Sequence, residues 1–360
     1  MAGTQSKSDL ASGGGNATAS GVAFQAGVAA YFGSALLAEQ TLDRPSGLGH
    51  AIPVSIRCET EAPIDDLLIE TKSGGLIFIQ AKSSVNLTKN PSSPLGKTAD
   101  QFVRQWLLCA TGTGQRTWDR PLSLSKDRFV LAIGPTSANS VKNDLAEALR
   151  SLRSGSDSTR PQGQESALQT FLALLGEAWK TATGTESSPS EVRTLASFVD
   201  VAVFDLAGPD QLAIASMMRR ILQNEDDADA SVAVLTDQFL KLMSRRSGVD
   251  STGLRNLLAT SLRLKEPPSY REDINKLRRY SDHTRAHLQH LEETKIDGFT
   301  IKVDRQCTDA VIAAGRKESI LIVGDPGAGK RRYQHRSSQT AQPGRGSHRI
   351  GDRSLAYRER

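Results

Sequence analysis

An α/β fold with an N-terminal core of order αβββαβ is predicted for this 360-residue chain by three observations. An apolar stretch near the start repeats at helical spacing. Three strand-like segments with short connections follow it. A further helix is then long enough to carry the chain back to a parallel fourth strand, a short apolar run.

The first helix is read from "GVAFQAGVAAYFGSALLAEQ" (21–40), where Phe24, Val28, Tyr31, Phe32, Ala35 and Leu36 fall on one face. Pro45, Gly47 and Gly49 mark a loop. The segment 52–61 alternates as a strand, with Ile52, Val54, Ile56 and Cys58 on one face. Segments 64–71 and 75–83 are two more strands, and 97–112 is helical up to Gly112. "RFVLAIGP" (128–135) is a short apolar run stopped by Gly134-Pro135, the pattern of a buried strand, and 137–155 returns to helix.

Five regions are expected. Residues 1–19, polar and Gly/Ser-rich, form a disordered lead-in, and 20–155 the αβββαβ domain. Residues 156–295 form a mainly helical connecting region with one strand at 198–206, 296–330 the start of a phosphate-loop domain, and 331–360 a disordered tail. The formal charge of +5 belongs to that tail: residues 331–360 hold eight Arg against one Asp and one Glu, leaving about −1 for the body. Net charge therefore does not identify the body as a nucleic-acid binder, and any such contact has to be local. Cys58, Cys109 and Cys307 lie far apart with no Cys-x-x-Cys or Cys/His spacing, which points to a reducing, cytoplasmic setting. No unbroken run of eighteen apolar residues exists, so no membrane span is expected.

The chemistry concentrates in "IDDLLIETKSGGLIFIQAKSS" (64–84). Alternate strand residues share a face, so Asp66, Leu68 and Glu70 point one way on the first arm. Leu76, Phe78, Gln80 and Lys82 do so on the second. A turn at Ser73-Gly74 or Gly74-Gly75 pairs Asp66 with a residue between 81 and 83, beside Gln80 and Lys82. Those groups are what phosphodiester hydrolysis requires. A carboxylate and an amide oxygen hold a hard divalent cation. A Lys orients water or stabilises charge on the phosphate. Without such convergence, an Asp pair capping a strand and a Gln/Lys pair on an edge need no chemistry at all.

These residues resemble the PD-(D/E)xK nuclease superfamily, with its αβββαβ core, in the type IV restriction (Mrr-like) branch and related antiphage effector domains. There Gln-x-Lys stands for the commoner Glu-x-Lys. "GVAFQ" (21–25) is similar to the Gly-x-x-Phe-Glu/Gln opening of that branch. The resemblance covers roughly residues 20–135 and implies a restriction-endonuclease-like fold and a Mg²⁺- or Mn²⁺-dependent double-stranded-DNA endonuclease of antiphage defence. It implies Asp66, Gln80, Lys82 and Gln25 as catalytic residues and Asp66, Gln80 and Glu59 as metal-holding ones, with Asp65 as alternate and Glu70 as a further carboxylate. A homo-oligomer acting on double-stranded DNA, without a membrane, is expected. The alternative is a non-catalytic DNA-binding or nucleotide-binding regulatory module.

"GDPGAGK" (324–330) follows the apolar run 319–323 and matches Gly-x-x-x-x-Gly-Lys through Gly324, Gly329 and Lys330, with Gly327 inside the loop. Such a loop cradles nucleotide phosphates. Arg331 replaces the hydroxyl residue that holds Mg²⁺, so ATP binding is possible by pattern while hydrolysis is not expected. The region is similar to the start of a STAND-type P-loop NTPase. The chain is expected to break off as that domain begins, and the Arg-rich tail has the composition of out-of-frame translation.

Overall fold

The computed structural model describes residues 13–112, 114–155, 160–266, 271–292, 295–296 and 299–300. The chain divides into two units, Met1–Glu266 and Pro267–Arg360. In the second unit the described residues form helix α9 (Arg271–Glu292) and a short antiparallel ladder, β7 (Lys295–Ile296) and β8 (Phe299–Thr300). The expected phosphate loop, with Gly324, Gly327, Gly329 and Lys330, lies outside the described residues, as do the Arg-rich tail and residues 1–12.

The first unit opens as expected: α1 (Gly13–Leu37), β1 (Pro53–Cys58), β2 (Leu67–Thr71), β3 (Leu76–Lys82), α2 (Pro94–Thr111) and β4 (Arg128–Ile133). A π-helical turn (Ser140–Leu145) leads into α3 (Ala146–Arg153). Then come α4 (Gln162–Thr183), α5 (Pro189–Ser197), β5 (Val199–Val203), α6 (Pro209–Ile221), α7 (Ala228–Ser244), β6 (Gly248–Asp250) and α8 (Ser251–Leu258). All six strands join one mixed α/β sheet in the order β5-β4-β3-β2-β1-β6. The pairs β3–β4 and β4–β5 are parallel and the others antiparallel.

Strand alternation sends two sets of side chains to two cores. Ile77, Ile79, Ala81, Val130 and Ala132 meet α1, α6, α7 and α8 on one face. Leu76, Phe78, Phe129, Leu131 and Ile133 meet α2, α3, α4 and α5 on the other. β4 is buried at every position, as a strand covered on both faces must be. Helix α1 is the spine of the first layer. It lies close enough to α7 that a Cβ on Gly33 would stand 2.3 Å from the Phe239 ring. Its segment Ala19–Leu37 is long and apolar enough to cross a membrane by length and hydropathy, but 67% of it is buried here, as in the core helix of a globular domain.

Three expectations change. The lead-in assigned to 1–19 is helical from Gly13, because α1 propagates backward from its buried segment. The single face drawn for Ile52, Val54, Ile56 and Cys58 is broken by a β-bulge between Pro53 and Ser55, which leaves Val54 38% exposed while Ile56 and Cys58 stay buried. The first domain does not close at 155. β5 and β6 extend the sheet on both sides, α4 to α8 supply much of both cores, and the compact unit reaches Glu266. Leu168, Phe171, Leu174 and Leu195 are buried in the same core as the β4 and α2 residues, so a chain ending at 155 would expose part of that core.

Two predictions follow from this packing. A fragment of residues 1–266 should unfold in one cooperative transition by circular dichroism, whereas a fragment of residues 1–155 should aggregate or melt without cooperativity. Asp127 is fully buried and accepts hydrogen bonds from Leu76 N at 2.8 Å, from both Arg120 Nη atoms at 2.9 and 2.7 Å, and from Ser123 N. Asp127→Ala leaves these donors without their acceptor and should lower stability by about 3–5 kcal/mol in chemical denaturation.

Candidate functional site

The hairpin that carries the motif is closed by three residues, Lys72, Ser73 and Gly74. Thr71 N donates to Gly75 O at 2.9 Å and Gly74 N to Thr71 O at 2.8 Å. Gly74 takes φ +75°, the left-handed geometry of a three-residue hairpin loop. With the longer turn, Leu67 pairs with Ile79, and the next rung outward sets Asp66 opposite Gln80. The two-residue turns considered from sequence would have put Asp66 opposite residues 81 to 83. The register is therefore one to three residues shorter, while the neighbourhood of Asp66, Gln80 and Lys82 is preserved.

Those three side chains converge. Asp66 Oδ2 accepts from Gln80 Nε2 at 2.6 Å and from Ala81 N at 2.7 Å, and Lys82 Nζ stands 4.0 Å away. Gln25, at the middle of α1, also hydrogen-bonds to the Asp66 carboxylate. Phe24 lies against Gly134 just past β4, which places this stretch of α1 over the C-terminal ends of β3 and β4. Glu59 extends β1, and its N–H donates to Asp66 O at 3.0 Å, so it occupies the rung beside Asp66. Asp65 turns instead toward α2, where its Oδ1 accepts from Gln101 Nε2 at 3.2 Å. Glu70 stands near the turn, at the far end of the hairpin, bonded to Thr117 Oγ1. Of the acids considered from sequence, Asp66 and Glu59 belong to the cluster by side-chain or rung position, and Asp65 and Glu70 face other partners.

Burial dominates the electrostatics. Asp66 is 4% exposed and Gln80 1%. Burial pushes the Asp66 carboxyl above its usual range; Lys82 and the Ala81 N–H pull it back, Asp65 pushes it further up, and Gln25 opposes. Burial also raises the Glu59 carboxyl, aided by Asp66 and Asp65 and countered by Arg246 and Lys82. Solvent reaches the cluster at Lys82, whose side chain is 31% exposed, and at half-buried Glu59 and Gln25. The carboxylate itself is almost covered, so an entering cation competes with donors already bound to Oδ2.

One atom of this cluster has no partner. Gln80 Nε2 is committed to Asp66, while Gln80 Oε1 is buried without a hydrogen-bond donor. A buried amide oxygen left bare costs about 1–3 kcal/mol and marks a position where an ion or ligand can supply the missing contact. Two carboxylates and a bare amide oxygen are hard donors that fit Mg²⁺ or Mn²⁺. Among the described residues no group of three or more His, Cys, Asp or Glu is arranged to hold a metal. A cation here would depend on Asp66, Glu59 and the Gln80 amide together. Sequence reasoning missed Gln101, which draws Asp65 away, and Arg246, which acts on Glu59. Neither carries a local signal, because both arrive from other elements.

No family model and no curated protein matches the chain. Among solved structures, the Moraxella osloensis Cap4 SAVED/CARF-domain-containing receptor aligns with a TM-score of 0.35 and 15% identity, over 67% of this chain and 47% of that one. The chain thus spans about half the length of that receptor, and a likeness of this size does not establish a shared fold.

The raised Asp66 carboxyl yields a test on stability. Its folded pKa lies above the unfolded one, so its favourable protonated state is fully present at low pH and is lost as pH rises through the folded value. Asp66→Asn keeps an acceptor oxygen and removes the charge. The variant should therefore melt higher than wild type at neutral pH, and the gap should shrink as pH falls below the ordinary carboxylate range. Thermal melts across that span check the sign.

Proposed function

We propose that the cluster hydrolyses phosphodiester bonds of double-stranded DNA with the help of Mg²⁺ or Mn²⁺, as an endonuclease with a restriction-endonuclease-like core. The observation that carries this reading is the meeting of Asp66, Gln80 and Lys82 on adjacent strands, with Gln80 Oε1 buried and bare. Asp66, Glu59 and Gln80 would hold the cation, which when bound polarises the phosphate and lowers the pKa of bound water. The chain's own groups do the rest. Lys82, exposed at the rim, orients the attacking water or stabilises the charge that builds on the phosphate. Gln25 and the Ala81 N–H fix the orientation of the Asp66 carboxylate. The choice of duplex DNA, and a setting in antiphage defence, rest on the resemblance of the "GVAFQ", Asp-Asp and Gln-x-Lys segments to the nuclease superfamily. Cutting both strands calls for two copies of the site, in keeping with a homo-oligomer.

A second reading draws on one observation, the near-complete burial of Asp66. In it the same groups form a polar knot at the sheet end, and the unit is a non-catalytic DNA-binding module. Nicking of supercoiled plasmid separates the two. The nuclease reading expects cleavage in Mg²⁺ or Mn²⁺ and none in EDTA, none from Asp66→Ala, and a fall of about 10²- to 10³-fold for Lys82→Ala with the fold intact. DNA binding without metal-dependent cleavage favours the second, whereas full activity in Lys82→Ala keeps the nuclease and removes the role given to Lys82.

A further inference from the structure

The ladder that brings Glu59 to Asp66 continues outward to a residue far along the chain. In β6, Gly248 pairs with Arg57, and Cys58 N donates to Ser247 O at 3.1 Å. The next rung sets Arg246 beside Glu59. Arg246, Glu59, Asp66 and Gln80 therefore fall on one row across four neighbouring backbone segments, though Arg246 and Glu59 are 187 positions apart in sequence.

Two features mark Arg246. It is exposed at the end of α7. It also holds φ +49°, directly across from Glu59 at φ +50°. The left-handed region favours Gly or Asn, and a long side chain there is strained. That backbone closes the last turn of α7, with Arg246 N donating to Met243 O at 3.0 Å and Ser247 N to Leu242 O at 3.1 Å, so the residue is held at a fixed turn beside Glu59. Arg57, also exposed, shares its sheet face with Leu68 and stands two residues before Glu59. Cations thus flank the acidic centre on both sides, Lys82 on β3 and Arg246 with Arg57 at the other edge. Strand spacing puts the Arg246 backbone about 10 Å from that of Asp66. That separation suits a guanidinium contacting a phosphate next to the one at the centre, with the fork geometry guanidinium offers to phosphate.

We propose that Arg246 is a phosphate-binding residue of this site, holding the DNA backbone beside the scissile bond from the edge of β1. This rests on the nuclease reading for its substrate, yet it is tested by binding rather than by cutting. The full chain is titrated against a short fluorescent DNA duplex in EDTA at several salt concentrations, with thermal melts in parallel. Arg246→Gly and Arg246→Asn should bind on the order of tenfold more weakly, with the salt slope smaller by about one. They should melt at or above the wild-type temperature, because both residues accept the left-handed backbone. Arg246→Lys should retain most of the affinity. Wild-type affinity and salt slope in both Gly and Asn variants overturn the assignment. So does an affinity loss accompanied by a lower melting temperature in both, since the side chain would then be holding the fold. A wild-type chain that does not bind duplex removes this proposal and the nuclease reading together. One that binds without cutting removes only the nuclease reading and leaves Arg246 to be judged on affinity.

Discussion

The sheet is covered on both faces, and that constraint shapes the rest of the first unit. A strand with helices on each side has to be apolar at nearly every position, as β4 is from Phe129 to Ile133. Polar chemistry is then confined to strand ends and edges. Gln80 and Lys82 close β3, Asp66 immediately precedes β2, and Glu59 immediately follows β1. Antiparallel pairing gathers these ends at one rim, and parallel pairing of β3 with β4 brings the end of β4 to the same side. The cluster forms where the double cover stops, and this is also why it is mostly buried.

The acids of the unit separate into two kinds by their partners. Asp127, Asp200 and Asp210 are buried, and each meets an arginine at close range: Arg120 at 2.7 Å, Arg153 at 3.0 Å and Arg44 at 2.6 Å. Those pairs tie loops to the sheet, as where Asp200 also binds Ser46 through both its N–H and its hydroxyl. Asp66 is buried to a similar degree, but its cation, Lys82, stands 4.0 Å away and is partly in solvent. Its carboxyl is held up by burial rather than settled by a guanidinium. A structural acid in a folded protein is better compensated than this. An incompletely compensated buried acid beside a bare amide oxygen is the feature on which the proposed cation site rests.

Much of this was legible in the sequence where the signal was local. The alternation of "LIFIQAK" and the apolar run "RFVLAI" specify strands by side-chain period alone, and the αβββαβ order follows from connection lengths. Asp66, Gln80 and Lys82 share a face for the same reason. What escaped depends on groups that meet only in three dimensions. The hairpin register was off because loop length hinges on Gly74 adopting positive φ, and two adjacent glycines leave that choice open. Val54 shares the sequence period of Ile56 and Cys58 but not their burial, because a bulge leaves no periodic signal. The span 160–266 looked like a connecting region because its helices bury their apolar faces against strands far away in sequence, and β6 is only three residues long. Arg246 is ordinary in its own segment and distinctive only beside Glu59.

That last point bears on how the site is held. Gln25 reaches Asp66 from α1, and α1 is positioned by α6 and α7, which come from the late part of the unit. Gly27 sits where an added Cβ would lie 2.4 Å from Leu206, and Gly33 faces Phe239 with the same closeness. Both contacts require α1 to approach without a side chain at those points. The hairpin supplies the acid, the amide and the ammonium. The late segment supplies the surface against which α1 seats, the strand that extends β1, and the arginine at its edge. The residues that look like chemistry in the sequence occupy one short hairpin, but their arrangement is a property of the whole unit to Glu266, because only the packing of α6, α7 and β6 determines where α1 and the end of β1 meet that hairpin.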